Sequence, residues 1–467
     1  MYLPAYKPEL VLDFLQSSVD MFALMEKYDS PLHLLFPQIL NEQLGYLKRF
    51  SRDGVVSFYV AHKPVHSLTL LKEVEKSGFS IDVSSMGELH NALSAGFTPQ
   101  RIECTGPKSL KFIFECVNLG CLISVDSIGE LEYICSLNSN ARVLLRLSNP
   151  LVAKRELITR RSKFGIDRLL LEDIYKLLLD NPRVKFLGYH FHQDGHDASL
   201  KSGIIEYFLS EIHHARNLGL MPHIINMGGG FGSELFADKN DWQRYVTKVA
   251  KHLIEGKNDL SWSYSHLGLT LSASGVIENR VLAESPINSN RLPVSLSSIY
   301  TSETSSDIEL IDLLFECNIH LCFEPGHAIF HNSGVTIMRV QDVKEIQSQK
   351  ALICNGNMFT LSSRMFMPIA DPILISQSMK EDVSESNQEN SYFILGNLCR
   401  EDDCIMDRVV HFPREVQRGD LLVFLNTSSY SQTYEATYSQ MQNMAKTLIV
   451  SKQKTEWCVM EENKDDI

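Results

Sequence analysis

The chain has 467 residues, more than one ordinary domain needs, and its 44% hydrophobic and 22% charged content suits a folded protein with a sizeable core. Lys and Arg number 44 against 57 Asp and Glu, a formal charge of −13, which argues against nucleic acid or an anionic membrane surface as the main partner. Ten cysteines are scattered without a CxxC pair or a zinc-type ligand spacing, so no metal ion is expected and a reducing compartment, the cytoplasm, is.

The start, "MYLPAYKPELVLDFLQ", lacks the basic, then apolar, then small-residue pattern of a signal peptide, and no apolar run approaches the length of a membrane span. Residues 1–52 read as mixed helix and loop, expected to pack with the C-terminal domain. From 53 to 330 short apolar strands alternate with amphipathic helices: "VVSFYVAH" then "SLTLLKEVEKSG", "FSIDVSS" then "MGELHNALSAG", "RIECTG" then "SLKFIFECVNLG". "CLISVDS", "RVLLRLSN", "KFLGYHFH" and "HIINMGG" continue the pattern, the last followed by the helical "DWQRYVTKVAKHLIEG". With "HLCFEPG" at 320–326 the strands reach eight, the count of a closed (β/α)8 barrel. The Ser-, Asn- and Pro-rich stretch at about 260–308 reads as a long loop or lid. After 330 the helical alternation stops, and 331–467 reads as a mostly β domain with a polar loop, "KEDVSESNQENS". The fold class is therefore α/β: a (β/α)8 barrel plus a mostly β C-terminal domain.

In such a barrel, reactive groups sit at the C-terminal ends of the strands. That rule selects Lys63, Asp82, Arg146, His192, the glycines at 228–230 and Glu324. In "SFYVAHKPVHS", Ser57, Tyr59, Ala61 and Lys63 share one face by the period of two, so Lys63 either points inward or lies past the strand end and reaches water. "NMGGGFG" lets backbone N–H groups approach an anion, with a tight turn as the simpler alternative. His190 and His192 lie two apart, open to metal ligation, to stacking on a flat ring, or to one core and one solvated role. Glu324 shares parity with His320 and Cys322; a buried carboxylate there needs a partner, and a protonated pyridine nitrogen would suit, with Gly326 near a phosphate.

Taken in order, "AHK" (61–63), "DVSSMGEL" (82–89), "SKFGI" (162–166), "HFHQDG" (190–195), "GGGFG" (228–232), "EPG" (324–326), "GNLC" (396–399) and "GDLLVF" with Tyr430 and Tyr438 resemble a known family. The chain is similar, from about 55 to 440, to the fold-type III, pyridoxal-phosphate-dependent basic amino-acid decarboxylases, the alanine-racemase-like barrel group that includes the diaminopimelate and ornithine enzymes. The resemblance implies pyridoxal 5'-phosphate held by Lys63 as an aldimine. His192 would stack on its ring, Glu324 would pair with the ring nitrogen, and Asp82, Arg146, Gly229, Gly230, Gly326, Tyr430 and Tyr438 would line the cofactor site. It implies Cys399 as the proton donor after decarboxylation, and Arg364, Glu401 and Tyr430 as substrate contacts. A homodimer with shared active sites and a diamino or basic amino-acid substrate follow from the same resemblance. The chain departs from the family pattern at Val60, where a tyrosine is usual, at Pro64 after the lysine, at His327 in place of an arginine, and at Arg400 in place of an acid. A racemase, or a catalytically silent regulator on the same scaffold, are the alternatives.

Overall fold

The computed structural model describes residues 2–52, 54–152, 155–156, 162–192, 198–238, 240–257, 259–262, 266–278, 291–304, 307–361, 370–376, 390–435 and 439–462. They form two compact units, one built on Asn41–Gly232 with Asn290–Ala328, the other on Met1–Leu40, Ser233–Ser289 and Ile329–Asn463. Among the described residues no helix is long and apolar enough to cross a membrane.

The first unit is a closed eight-stranded barrel: β1 (Val56–Ala61), β2 (Ser80–Val83), β3 (Ile102–Cys104), β4 (Leu122–Val125), β5 (Ala141–Arg146), β6 (Val184–His190), β7 (Ile224–Asn226) and β8 (His320–Phe323). Every neighbouring pair is parallel, and β8 closes on β1 with Leu321 opposite Val56 and Phe323 opposite Phe58. Serine caps start the helices that follow the first strands: Ser67, Ser85, Ser109 and Ser127 each accept a hydrogen bond from the backbone N–H three residues on.

The pleat sets what fills the barrel. Tyr59, Leu122, Leu144, Ile224 and Cys322 form one buried inward layer. Two residues further along each strand the same face carries Ala61, Ser124, Arg146, Asn226 and, just past β8, Glu324. Register brings in the rest: Ala61 lies opposite Asp82 and Asp82 opposite Glu103, while Asn226 lies opposite His190 and His190 opposite Arg146. A polar storey therefore sits on an apolar one, at the C-terminal end of the strands.

The second unit is a nine-stranded sheet containing Leu32–Leu35, Gly334–Ile346, Gln349–Cys354, Ile373–Ile375, Ser391–Leu395, Cys404–His411, Leu421–Leu425, Lys446–Gln453 and Glu456–Glu461. Leu32–Leu35 runs antiparallel to Gly334–Ile346 and parallel to Lys446–Gln453. That strand corrects the helix-and-loop reading of the first 52 residues; "LHLL" is short and wholly buried, so it shows no alternation.

Two further readings change. The helix Asp241–Ile254, expected to flank the barrel, buries Trp242, Tyr245 and Val249 in the core of the second unit with Leu3, Leu34 and Leu448. The stretch read as a loop at 260–308 contains a hairpin pairing Thr270–Leu271 with Ile277–Glu278 and a helix, Leu292–Tyr300, that packs on the helix Ala198–Asn217. Three serines and two β-branched residues in "LPVSLSSIY" hide that helix, although Pro293 in its first turn is a start signal. Residues 279–290 of the stretch lie outside the described residues.

Candidate active site

The polar storey is organised by Asn226. Its amide Nδ2 donates to Glu103 Oε2 at 2.7 Å and to Glu324 Oε1 at 2.8 Å, and its Oδ1 accepts from Gly228 N at 2.9 Å. One side chain thus ties two buried carboxyl groups to the first residue of the glycine turn. His190 flanks the same group: Ser124 Oγ lies 2.5 Å from its Nδ1, and its Nε2 lies 3.3 Å from Glu324 Oε1. His192, half-buried beyond the end of β6, places Nδ1 3.8 Å from Glu324 Oε2 and accepts from Gly229 N at 3.2 Å.

The three carboxyl groups are driven apart electrically. Burial raises the Glu324 carboxyl, but His190, the His192 hydrogen bond and Lys63 overcome it and hold its pKa down to about 2. Burial, Glu324 and Asp82 push Glu103 well above the usual range. Asp82 is pushed up by burial and Glu324, against the hydrogen bond it accepts from Thr105 Oγ1 at 2.7 Å. Burial also pushes His190 down to about 3, so its imidazole is neutral at neutral pH. The ionised Glu324 then accepts from the Asn226 amide and lies within reach of the Lys63 charge. One carboxyl held down beside two pushed up is an arrangement that assigns them different chemical tasks.

Lys63 lies beyond β1, in a turn closed by the hydrogen bond from Val65 N to His62 O at 2.9 Å. Lys63 is exposed, two residues past the strand end, where strand parity no longer fixes the direction of a side chain. Its charge nonetheless lowers both Asp82 and Glu324. Gly326 seats the turn: a Cβ there would stand 2.8 Å from Pro64 Cγ and 3.2 Å from Ala61 Cβ. The proline after the lysine is therefore packed against the "EPG" loop. At Gly228, φ is +60° and a Cβ would stand 2.5 Å from His192 Nδ1, so only glycine lets the turn pass under the imidazole.

Arg146 lies 3.5 Å from Asp126 Oδ1, with its guanidinium 4.4 Å from the Phe164 ring centroid. Asp126 Oδ1 also accepts from Gly165 N at 3.2 Å, which ties the "SKFGI" segment to the barrel. Behind Lys63, His62 is 1% exposed; Asn91 Nδ2 lies 3.1 Å from its Nε2, and its Nδ1 lies 3.8 Å from Glu88 Oε1. His62, His66 and Glu88 bring potential ligand atoms within 4.8 Å of one another, as do Glu103, His190 and Glu324.

The barrel end therefore gathers Lys63, Asp82, Arg146, His192, Gly229, Gly230, Glu324 and Gly326. Cys399, Glu401 and Tyr430 belong to the second unit; Arg364 and Tyr438 lie outside the described residues. Cys399 and Glu401 are exposed, and Cys399 N donates to Gln440 Oε1 at 2.7 Å. Buried Asp403 holds that turn, accepting from Met358 N and Leu398 N, both at 2.7 Å. Arg400 makes a two-point contact with Asp402 at 2.8 and 2.6 Å. Sequence reasoning missed Glu103, Asn226, Ser124 and Asp403. The visible signal was a charged or amide residue in a short strand otherwise apolar, as in "IEC" and "IIN".

Residues 38–266 match the model for the pyridoxal-binding domain of pyridoxal-dependent decarboxylases. The chain is 28% identical over 422 residues to the uncharacterized protein y4yA of Sinorhizobium fredii, covering 88% of this chain and 85% of that one. It is 23% identical over 448 residues to diaminopimelate decarboxylase of Staphylococcus aureus, covering 93% and 91%. Diaminopimelate decarboxylase of Helicobacter pylori, solved with L-lysine, shares the fold at a TM-score of 0.68 and 17% identity, over 96% of this chain and 98% of that one.

The barrel end fits pyridoxal phosphate on its own features. The Gly228 turn admits no Cβ, a buried carboxylate is kept ionised as a partner for a protonated ring nitrogen, and a lysine stands at the mouth within electrostatic reach of it. Residues 38–266 thus match the pyridoxal-binding domain of pyridoxal-dependent decarboxylases, and over its length the chain is similar to the fold-type III amino-acid decarboxylases, which are carboxy-lyases.

Proposed function

We propose that this chain removes CO₂ from a diamino or basic amino acid, working as a cytoplasmic homodimer with shared active sites. The observation that supports this most is the ionised Glu324, fixed by Asn226, facing His192 and within reach of the Lys63 charge. In this reading Lys63 holds the cofactor covalently, and the backbone of Gly229, Gly230 and Gly326 receives its phosphate. His192 would cover the ring, Glu324 would pair with its nitrogen, and Asp82, Arg146, Tyr430 and Tyr438 would complete the lining. Bound there, pyridoxal phosphate supplies the electron sink for the bond pair left behind by CO₂.

The protein supplies orientation and proton control. Burial and the charge of Glu324 push Glu103 and Asp82 toward their protonated forms, which would limit the negative charge gathered beside Glu324. Cys399 would supply the proton to the carbon that lost CO₂, and Lys63 would be the amine that holds the cofactor between turnovers. Arg364, Glu401 and Tyr430 bind the substrate.

The test is CO₂ release from purified protein with pyridoxal phosphate and a panel of D- and L-diamino acids, with enantiomer exchange followed in parallel. CO₂ from at least one diamino acid is expected. Exchange without CO₂ makes the protein a racemase, and visible cofactor binding with neither reaction makes it a silent regulator. In the Cys399→Ala variant product should form slowly or with misplaced protons while cofactor stays bound; unchanged turnover removes the thiol from the mechanism.

A further inference from the structure

A second lysine lies under the glycine turn. Lys201, on the helix Ala198–Asn217, is only 5% exposed. Its Nζ donates to Gly229 O at 2.8 Å and approaches Met227 O at 3.4 Å, and it lies 5.4 Å from the Phe231 ring centroid. Burying an ammonium is costly, and a lysine on a helix has an inexpensive alternative in pointing to water. Lys201 instead occupies the inward stripe with Ile204, Ile205 and Phe208.

The geometry points to a positioning role: we propose that Lys201 sets the phosphate preference of the glycine turn by polarising the Gly229–Gly230 peptide. The inference rests on the cofactor site proposed above. A trans peptide holds its C=O and N–H antiparallel in one plane. A cation bonded to Gly229 O therefore draws electron density toward the oxygen and leaves the Gly230 N–H, at the other end of the same peptide, a stronger donor. Gly230 has φ of +83° and is half-buried, so the chain turns at this residue and its backbone remains accessible. The Met227–Gly228 peptide is biased the same way, its oxygen facing Lys201 while Gly228 N donates to Asn226 Oδ1 at 2.9 Å. A buried cation behind a row of peptide dipoles favours an anion in front of it.

The test compares two ligands that differ only in the phosphate. Affinities of the holoprotein-competent chain for pyridoxal phosphate and for pyridoxal are measured by visible absorbance in the parent and in Lys201→Met, Lys201→Gln and Lys201→Arg. Loss of a charge-assisted hydrogen bond of this kind corresponds to roughly tenfold. Met and Gln should weaken pyridoxal phosphate by about that factor while leaving pyridoxal nearly unchanged, and Arg should retain the parent preference. Equal weakening of both ligands makes Lys201 a packing residue and overturns the inference, as does an unchanged ratio. Should Lys201→Met fail to fold, the Gln and Arg pair, equal in polarity but not in charge, decides the question. A parent protein that binds neither ligand refutes the cofactor reading itself, a result distinct from both.

Discussion

The neutral His190 makes the stability of the barrel sensitive to mild acid. Burial, with smaller contributions from Arg146 and His192, pushes this imidazole from 6.5 down to about 3, against the pull of Glu324. The folded state therefore binds fewer protons than the unfolded chain between those values, and stability must rise with pH across the window. The contribution is complete above pH 6.5 and is lost as pH falls toward 3, at about 1.4 kcal/mol per pH unit. Between about pH 6.5 and pH 5 His190 alone costs about 2 kcal/mol, and His62, lowered by burial and His66 to about 3, adds a similar amount. The perturbation is His190→Asn, whose amide oxygen can take the Ser124 hydroxyl that now meets Nδ1. Urea unfolding at a series of pH values in this range should show the variant less stable at neutral pH but shallower in its acid decline, by about 1.4 kcal/mol per unit. In the parent, the depressed pKa of Glu324, about 2, keeps its contribution intact above 4.5, so the acid decline there belongs to the imidazoles. Equal slopes in the two proteins would refute the claim that His190 is held neutral.

Three other perturbations have defined outcomes. Gly228→Ala places a Cβ 2.5 Å from His192 Nδ1 at a φ of +60°, so the turn must shift; equilibrium dialysis should show cofactor affinity reduced at least tenfold, and undiminished binding would move the phosphate elsewhere. Arg408 and Asp371 form a buried ion pair in the second unit, and Asp371 also accepts from Leu3 N at 2.8 Å. Arg408→Met leaves that carboxyl unpaired and should cost about 3–5 kcal/mol by urea denaturation, whereas replacing both partners with apolar residues should recover most of it. Asp403→Ala releases the Met358 and Leu398 N–H groups that hold the Cys399 turn; turnover should fall while cofactor affinity, read by absorbance, stays at the parent value.

Much of this architecture was readable because it is encoded locally. Strand alternation and helical spacing repeat within each βα unit, and the serine caps mark where each helix begins. His192, the Gly228 turn and Glu324 follow from one rule about strand ends. What escaped depended on closure. Glu103 and Asn226 sit in strands of three residues, too short to reveal which face is inward until the barrel register aligns Ala61, Asp82 and Glu103. Lys201 belongs to none of the motifs, although its spacing to Ile204, Ile205 and Phe208 puts it on the buried stripe. For Lys63, parity leaves an inward and a solvent-reaching position open; the residue lies in the turn after β1, exposed, with its charge reaching Glu324.

The whole mechanism depends on which amine takes the cofactor, and Lys63 is not alone at the barrel end: Lys201 and Lys108 are bonded there too, to Gly229 O and Ser124 O. Reduction of the cofactor-loaded protein with borohydride, followed by digestion and mass mapping, reads the attachment point directly. The account predicts a pyridoxyl phosphate group on the peptide containing Lys63, absent from Lys63→Ala. Label on Lys201, on any other amine, or retained after that substitution would contradict it.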